Sequence, residues 1–159
     1  MTTIRPAAPM DVPTILRFVR ELAAFEREPD AVHATEEALT DALFGPRPAA
    51  EAAIAEREGE PVGFALFFHN YSTWTGRRGL YLEDLYVTPD ARGCGVGRAL
   101  LACLAAIAVE RGCARFEWSV LDWNADAIAF YRAMGAEGLD EWTVQRVAGP
   151  ALARLAGQG

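Results

Sequence analysis

Apolar positions along the chain change period several times, and each change marks an element. Thr2–Ala7 reads as a short strand. From Asp11 to about Arg27, Val12, Ile15, Leu16, Val19, Leu22 and Ala23 recur at helical spacing, which predicts an amphipathic helix. A second helix is predicted from Thr35, an N-cap followed by Glu36 and Glu37, to Gly45-Pro46. Glu51–Glu58, a turn at Gly59 and Pro61–Asn70 then read as a hairpin, and Arg78–Val87 as a third strand beside it. A long helix over about Gly97–Arg111 presents Val96, Leu100, Leu101, Leu104, Ile107 and Ala108 on one face, and Gly112 closes it. Ala114–Val120 is another strand. Asn124 caps a short helix that reaches Met134 and ends at Gly135, and Trp142–Val147 is a final strand. The order β-α-α-β-β-β-α-β-α-β predicts an α+β fold, with meander strands first and one parallel crossover after them.

At 159 residues, 52% of them hydrophobic, the chain predicts one globular domain spanning 1–159. Its longest apolar run, Ala99–Val109, is too short to span a bilayer, and the start carries no secretory pattern, so a cytoplasmic protein without membrane partners is expected. With 22 acidic residues against 15 basic, the formal charge is −7. That balance speaks against nucleic acid and favours cationic small molecules. Cys94, Cys103 and Cys113 have neither disulfide-framework number nor metal-ligand spacing, and His33 and His69 stand alone, so no metal site is expected.

Tyr86–Leu101, "YVTPDARGCGVGRALL", packs three glycines into five residues between Arg92 and Arg98, directly before a helix. Ordering a glycine costs roughly 0.5–1 kcal/mol, so three in alternation imply a close approach to the backbone. The spacing fails the dinucleotide fingerprint, because the sixth position is Arg98 counted from Gly93 and Leu100 counted from Gly95. It also lacks the Lys-Ser/Thr ending of a P-loop. What remains is a strand, a bare turn and a helix N-terminus whose first N–H groups lack partners. This is a cradle for a diphosphate, or a tight turn with no ligand.

Arg92-Gly93-Cys94-Gly95-Val96-Gly97 matches the R-x-x-G-x-G/A signature of the GNAT N-acetyltransferase superfamily. "YLEDLYV" at Tyr81–Val87, "ELAAFE" at Glu21–Glu26 and "DWNADAIAFYRAMGA" at Asp122–Ala136 resemble the diamine (spermidine/spermine) and thialysine N-acetyltransferase branch. The resemblance covers the whole chain. It implies a mixed, mostly antiparallel twisted sheet with a splayed parallel strand pair, flanked by about four helices. It also implies a homodimer, acetyl-CoA as co-substrate, and coenzyme contacts at Leu85, Tyr86, Val87, Arg92, Gly93, Cys94, Gly95, Val96, Gly97, Arg98, Asn124 and Ala127. The acceptor it implies is a primary amine on a small cationic or zwitterionic molecule, acetylated by direct attack in a ternary complex. Protein N-termini, lysines, an aminoglycoside, or a coenzyme A-binding sensor without turnover stay open beside it.

Acetylating an amine requires removing a proton, at about 4–5 kcal/mol at pH 7 for a lysine-like group, and protonating the departing thiolate. Glu83 and Asp84 interrupt an apolar strand side by side. Alternation turns one of them toward the core unless a bulge re-aims it, and a solvated edge pair or an ion pair is the competing reading. By resemblance Glu83 is the base, directly or through water, and Asp84 supports it. Helical spacing alone makes Tyr131 a core aromatic on the face of Ala127 and Ile128; resemblance makes its phenol the acid. Glu26, by position a surface charge, matches a residue lining the amine site, with Phe25 as an aromatic wall. "GAEGLDEW" at Gly135–Trp142 is shorter than the family's segment, so neither Asp140 nor Glu141 is assigned. Leu152 and Leu155 are candidates for packing against a partner subunit.

Overall fold

The computed structural model describes residues 1–158. The chain forms two compact units, Met1–Ser119 and 120–159. In the first, five strands lie in sequence order: β1 (Thr2–Pro6), β2 (Glu51–Arg57), β3 (Glu60–Ser72), β4 (Arg77–Val87) and β5 (Phe116–Glu117). β1 through β4 pair antiparallel, and β4 pairs with β5 in parallel after the crossover helix. The α+β class and the mixed sheet are as predicted.

Helix α1 (Val12–Phe25) and helix α2 (Glu36–Phe44) join one sheet face in a core of Ile15, Phe18, Leu43, Ala52, Ile54, Phe64 and Tyr86. Phe18, fully buried, stacks on Phe64 with ring centroids 5.9 Å apart. Burying such a side chain contributes about 1.5–3 kcal/mol. Helix α3 (Val96–Glu110) packs on β4, β3 and β1 through Leu100, Leu101 and Leu104. Caps set the helix ends as the sequence foretold: Thr35 accepts from the Ala38 N–H at 3.1 Å.

The unit 120–159 carries helix α4 (Ala125–Ala133) and helix α5 (Pro150–Leu155). Asn124 Oδ1 accepts from the Ala127 N–H at 3.3 Å, the predicted cap. The strand expected at Trp142–Val147 does not form. Trp142, Val144 and Val147 are exposed, and the segment pairs with no strand among the described residues. Without interstrand hydrogen bonds an extended stretch stays irregular, whatever its alternation. The strand expected over Ala114–Val120 is likewise only Phe116–Glu117, paired with Leu80 and Tyr81 alone.

A half-buried ionic knot pins β1 to the entry of α1. Asp11 accepts from Arg5 Nη1 at 2.7 Å, Arg5 Nη2 at 2.9 Å and the Ala8 N–H at 2.7 Å. Arg5 also reaches Glu56 on β2 at 2.7 Å. The Arg5 hydrogen bonds hold the Asp11 carboxyl below its ordinary range, against the opposing effect of burial. Asp11→Ala should cost about 2–3 kcal/mol in urea unfolding at pH 7, less than a fully buried pair because Arg5 is partly exposed and keeps Glu56. A depressed folded pKa stabilises above the unfolded value and loses that contribution as pH falls through the folded one. The gap between wild type and Asp11→Ala should therefore narrow below about pH 4.

Candidate active site

The centre of the site is an irregularity in β4. Leu66 stands opposite Asp84 while the next residue, Phe67, stands opposite Leu82. Glu83 is the extra residue of a β-bulge. The bulge resolves the problem posed by adjacent carboxylates in an apolar strand. Leu82 stays buried, Glu83 is exposed, and Asp84 turns to the α1 face beside Leu66. Burial, then the Glu83 charge, then the Glu26 charge push the Asp84 carboxyl up to about 6. Glu26, at the C-cap of α1, is itself raised by burial. Three carboxylates, Glu26 from α1 and Glu83 and Asp84 from β4, thus share one field.

The turn carrying Glu26 is held in an uncommon conformation. Arg27 sits at φ 66 while the Glu28 N–H bonds Ala23 O at 2.8 Å, closing α1 with a residue other than glycine. Such a residue stores about 1–2 kcal/mol and marks a constrained segment. No pattern in the sequence signalled it.

Beyond the bulge, β4 has one free side. The Thr88 N–H bonds Val62 O, so alternate residues Tyr86 and Asp84 direct their backbone groups to β3. The backbone groups of Leu85 and Val87 point the other way, where β5 pairs only with Leu80 and Tyr81. This is the predicted splay. Arg92 Nε donates to Val87 O at 3.0 Å, leaving the Val87 N–H and the Leu85 groups for a ligand.

Arg92 has a further task that sequence reading missed. Its guanidinium lies 5.1 Å from the Phe25 ring centroid and 5.6 Å from that of Tyr86. It clamps the α1 terminus to the end of β4, and each such contact contributes about 0.5–1 kcal/mol where exposed. Tyr86 donates to Glu21 Oε1 at 3.3 Å, extending the clamp into α1. Phe25 is exposed beside this clamp.

The loop before α3 fits a diphosphate. Gly93 and Gly95 adopt φ 77 and 82, and a Cβ on either would project into open space. Gly95 is the N-cap and supplies no side-chain cap; the first intrahelical bond is Ala99 N–H to Gly95 O. The N–H groups of Val96, Gly97 and Arg98 are therefore unpaired within the helix, with Arg98 exposed beside them. The exposed Cys94 thiol turns to Arg92 O at 3.8 Å.

In the unit 120–159, α4 presents Asn124, Ala127, Ile128 and Tyr131 half-buried on one face, with the Phe130 and Tyr131 ring centroids 5.5 Å apart. No helix among the described residues is long and apolar enough to cross a membrane.

Comparison with known proteins agrees with this architecture. The model of the acetyltransferase (GNAT) family matches residues 16–136. The thialysine N-epsilon-acetyltransferase of Sus scrofa is 42% identical, with 98% of this chain and 97% of that one covered. The L-ornithine N5-acetyltransferase of Arabidopsis thaliana is 32% identical over 94% of this chain and 85% of its own. An integron cassette protein from the mobile metagenome of V. cholerae superposes with a TM-score of 0.81 at 27% identity, covering 98% of this chain and 97% of that one. With a family model over most of its length and full-length relatives of this kind, the chain belongs to the GNAT acetyltransferase family, in the thialysine and diamine branch, and is an N-acetyltransferase.

Proposed function

We propose that this enzyme transfers acetyl from acetyl-CoA to a primary amine of a small molecule bearing a second cation or a zwitterionic head, in a ternary complex. The observation that carries the reading is the bulge at Glu83, which gathers Glu83, Asp84 and Glu26 where β4 opens. Acetyl-CoA supplies the acetyl group as a thioester. The unpaired amides of Val96, Gly97 and Arg98, with the Gly93–Gly95 turn, would hold its diphosphate, and the Leu85 backbone groups with the Val87 N–H its pantetheine arm. Asn124 and Ala127 join these contacts by family resemblance.

Asp84 and Glu26 bind the cationic acceptor, and Phe25 walls it. Glu83, exposed at the bulge, takes the ammonium proton directly or through water. The Tyr131 hydroxyl holds the proton destined for the thiolate. The reading takes residues 1–159 as one cytoplasmic catalytic domain acting as a homodimer. Leu152 and Leu155 on α5 are exposed, as a partner-facing surface would be. Sedimentation should give twice the monomer mass at micromolar concentration; a monomer would remove the dimer from this account.

The pH dependence tests the site. Asp84 must be ionised to hold a cation, so kcat/KM should fall on an acid limb near pH 6, and Asp84→Asn should lose that limb along with most activity. Stability moves oppositely. A raised folded pKa stabilises fully below the unfolded value, 3.8, and that contribution is lost as pH rises through about 6. Above pH 6, Asp84→Asn should be more stable than wild type by roughly 1–3 kcal/mol, at 1.36 kcal/mol per pKa unit. Equal stability at pH 7.5, with an unchanged acid limb, would dissociate Asp84 from the acceptor site.

A further inference from the structure

Three arginines on this acidic chain are paired with carboxylates: Arg5 with Asp11 and Glu56, Arg17 with Glu21, Arg111 with Glu51. Arg77 and Arg115 make no side-chain ion pair among the described residues, and both line one recess of about 50 Å³ at the turn of the β3–β4 hairpin. That is room for a few waters, or for one tetrahedral oxyanion.

The recess is a built feature. Arg77 stands opposite Ser72 in the β3–β4 ladder, on the face shared by Gly79, Arg115 and Glu117, while alternation turns Arg78 to the other face. The segment bearing Arg115 is stitched to the same place: Leu80 N–H bonds Arg115 O at 2.9 Å, and Ala114 N–H bonds Arg78 O at 3.3 Å. Gly79 lies between, buried, with the Asn70 side-chain oxygen directly against it. Ser72 Oγ accepts from the Trp74 and Thr75 N–H groups at 3.2 and 3.3 Å, which leaves its own hydrogen to donate. Guanidinium forks and a hydroxyl donor suit phosphate oxygens. Glu117 is the one carboxylate on the wall. It repels a bare anion but accepts a hydrogen bond from one that retains a proton.

We propose that this recess binds free hydrogen phosphate, with the Arg77 and Arg115 guanidinia and Ser72 donating to its oxygens and Glu117 accepting from its hydroxyl. The site is separate from the diphosphate cradle. It sits at the start of β4, and the cradle follows the strand's far end, eight residues or about 25 Å along.

The test is orthophosphate titrated into the isotope-labelled full chain at constant ionic strength, followed by amide NMR. Saturable shifts at Ser72, Gly79 and Arg115 are expected, with the midpoint raised roughly tenfold or more in R77Q/R115Q. Arg77→Gln alone, at an exposed position, should also raise it, should the double variant lose its fold. Sulfate, which carries no proton at neutral pH, should bind more weakly. Chloride reproducing the shifts, sulfate matching phosphate, or phosphate shifts confined to Gly93–Arg98 would overturn the proposal. None of these readouts depends on acetyl transfer, so the acetyltransferase reading stands or falls separately.

Discussion

Tyr131→Phe should lower turnover by roughly 10²-fold or more while KM for acetyl-CoA and for the amine hardly moves. The substitution removes one hydroxyl and keeps the ring that packs 5.5 Å from Phe130. The helix itself is anchored elsewhere, by the Asn124 cap and by its termination at Gly135, φ 95. A urea midpoint equal to wild type would confirm that only chemistry was touched. A loss confined to kcat is the signature of a group acting as the reaction proceeds. Wild-type turnover in the variant would return Tyr131 to the role its spacing alone suggests, an aromatic on the apolar face of α4.

Gly95→Asp should be as damaging, and in a different parameter. A side chain at Gly95 meets no atom within 4 Å, so the fold can accept it at the modest cost of a left-handed conformation, about 1–2 kcal/mol. Its carboxylate would stand where the cradle receives a diphosphate. Like charges about 4 Å apart repel by about 1 kcal/mol in water and about 4 kcal/mol at an effective dielectric of 20. Affinity for coenzyme A should fall by roughly ten- to a thousand-fold in calorimetry. Gly95→Ala carries the same strain without the charge and should lose much less. Unchanged affinity in a folded Gly95→Asp protein would show that the diphosphate lies elsewhere.

Local signals explain what could be read from the chain. Thr35 with its acidic first turn, Gly45-Pro46, and the Glu58-Gly59 turn at φ 53 and 81 each specify their geometry within a few residues. Gly112 belongs with them, since it closes α3 at φ 72 in the left-handed region expected of a helix-ending glycine. Trp142–Val147 failed because alternation describes a strand's faces but supplies no neighbour. At Glu83–Asp84, alternation required a carboxylate in the core, and only tertiary register revealed that a bulge moves Glu83 out and leaves Asp84 on the α1 face. Arg92 could be read as a phosphate ligand, but its contacts with Phe25 and Tyr86 join residues 67 and 6 positions away, which no local pattern reports. Arg27 left no trace either, because a left-handed arginine is a consequence of closure and not of propensity.

The central claim is acetyl transfer to an amine that carries a second charge. Its most direct measurement is thiol release from acetyl-CoA with a panel of a diamine, a diamino acid and a neutral monoamine, each product checked by mass for one added acetyl group. Release with the diamine or the diamino acid should stand well above that with the monoamine, and KM should rise roughly ten-fold in Glu26→Gln, the effect of about 1.4 kcal/mol from one partly exposed charge. Equal KM values for all three amines, in wild type and variant alike, would contradict a charge-reading site. Absence of amine-dependent thiol release with every amine would contradict the account as a whole.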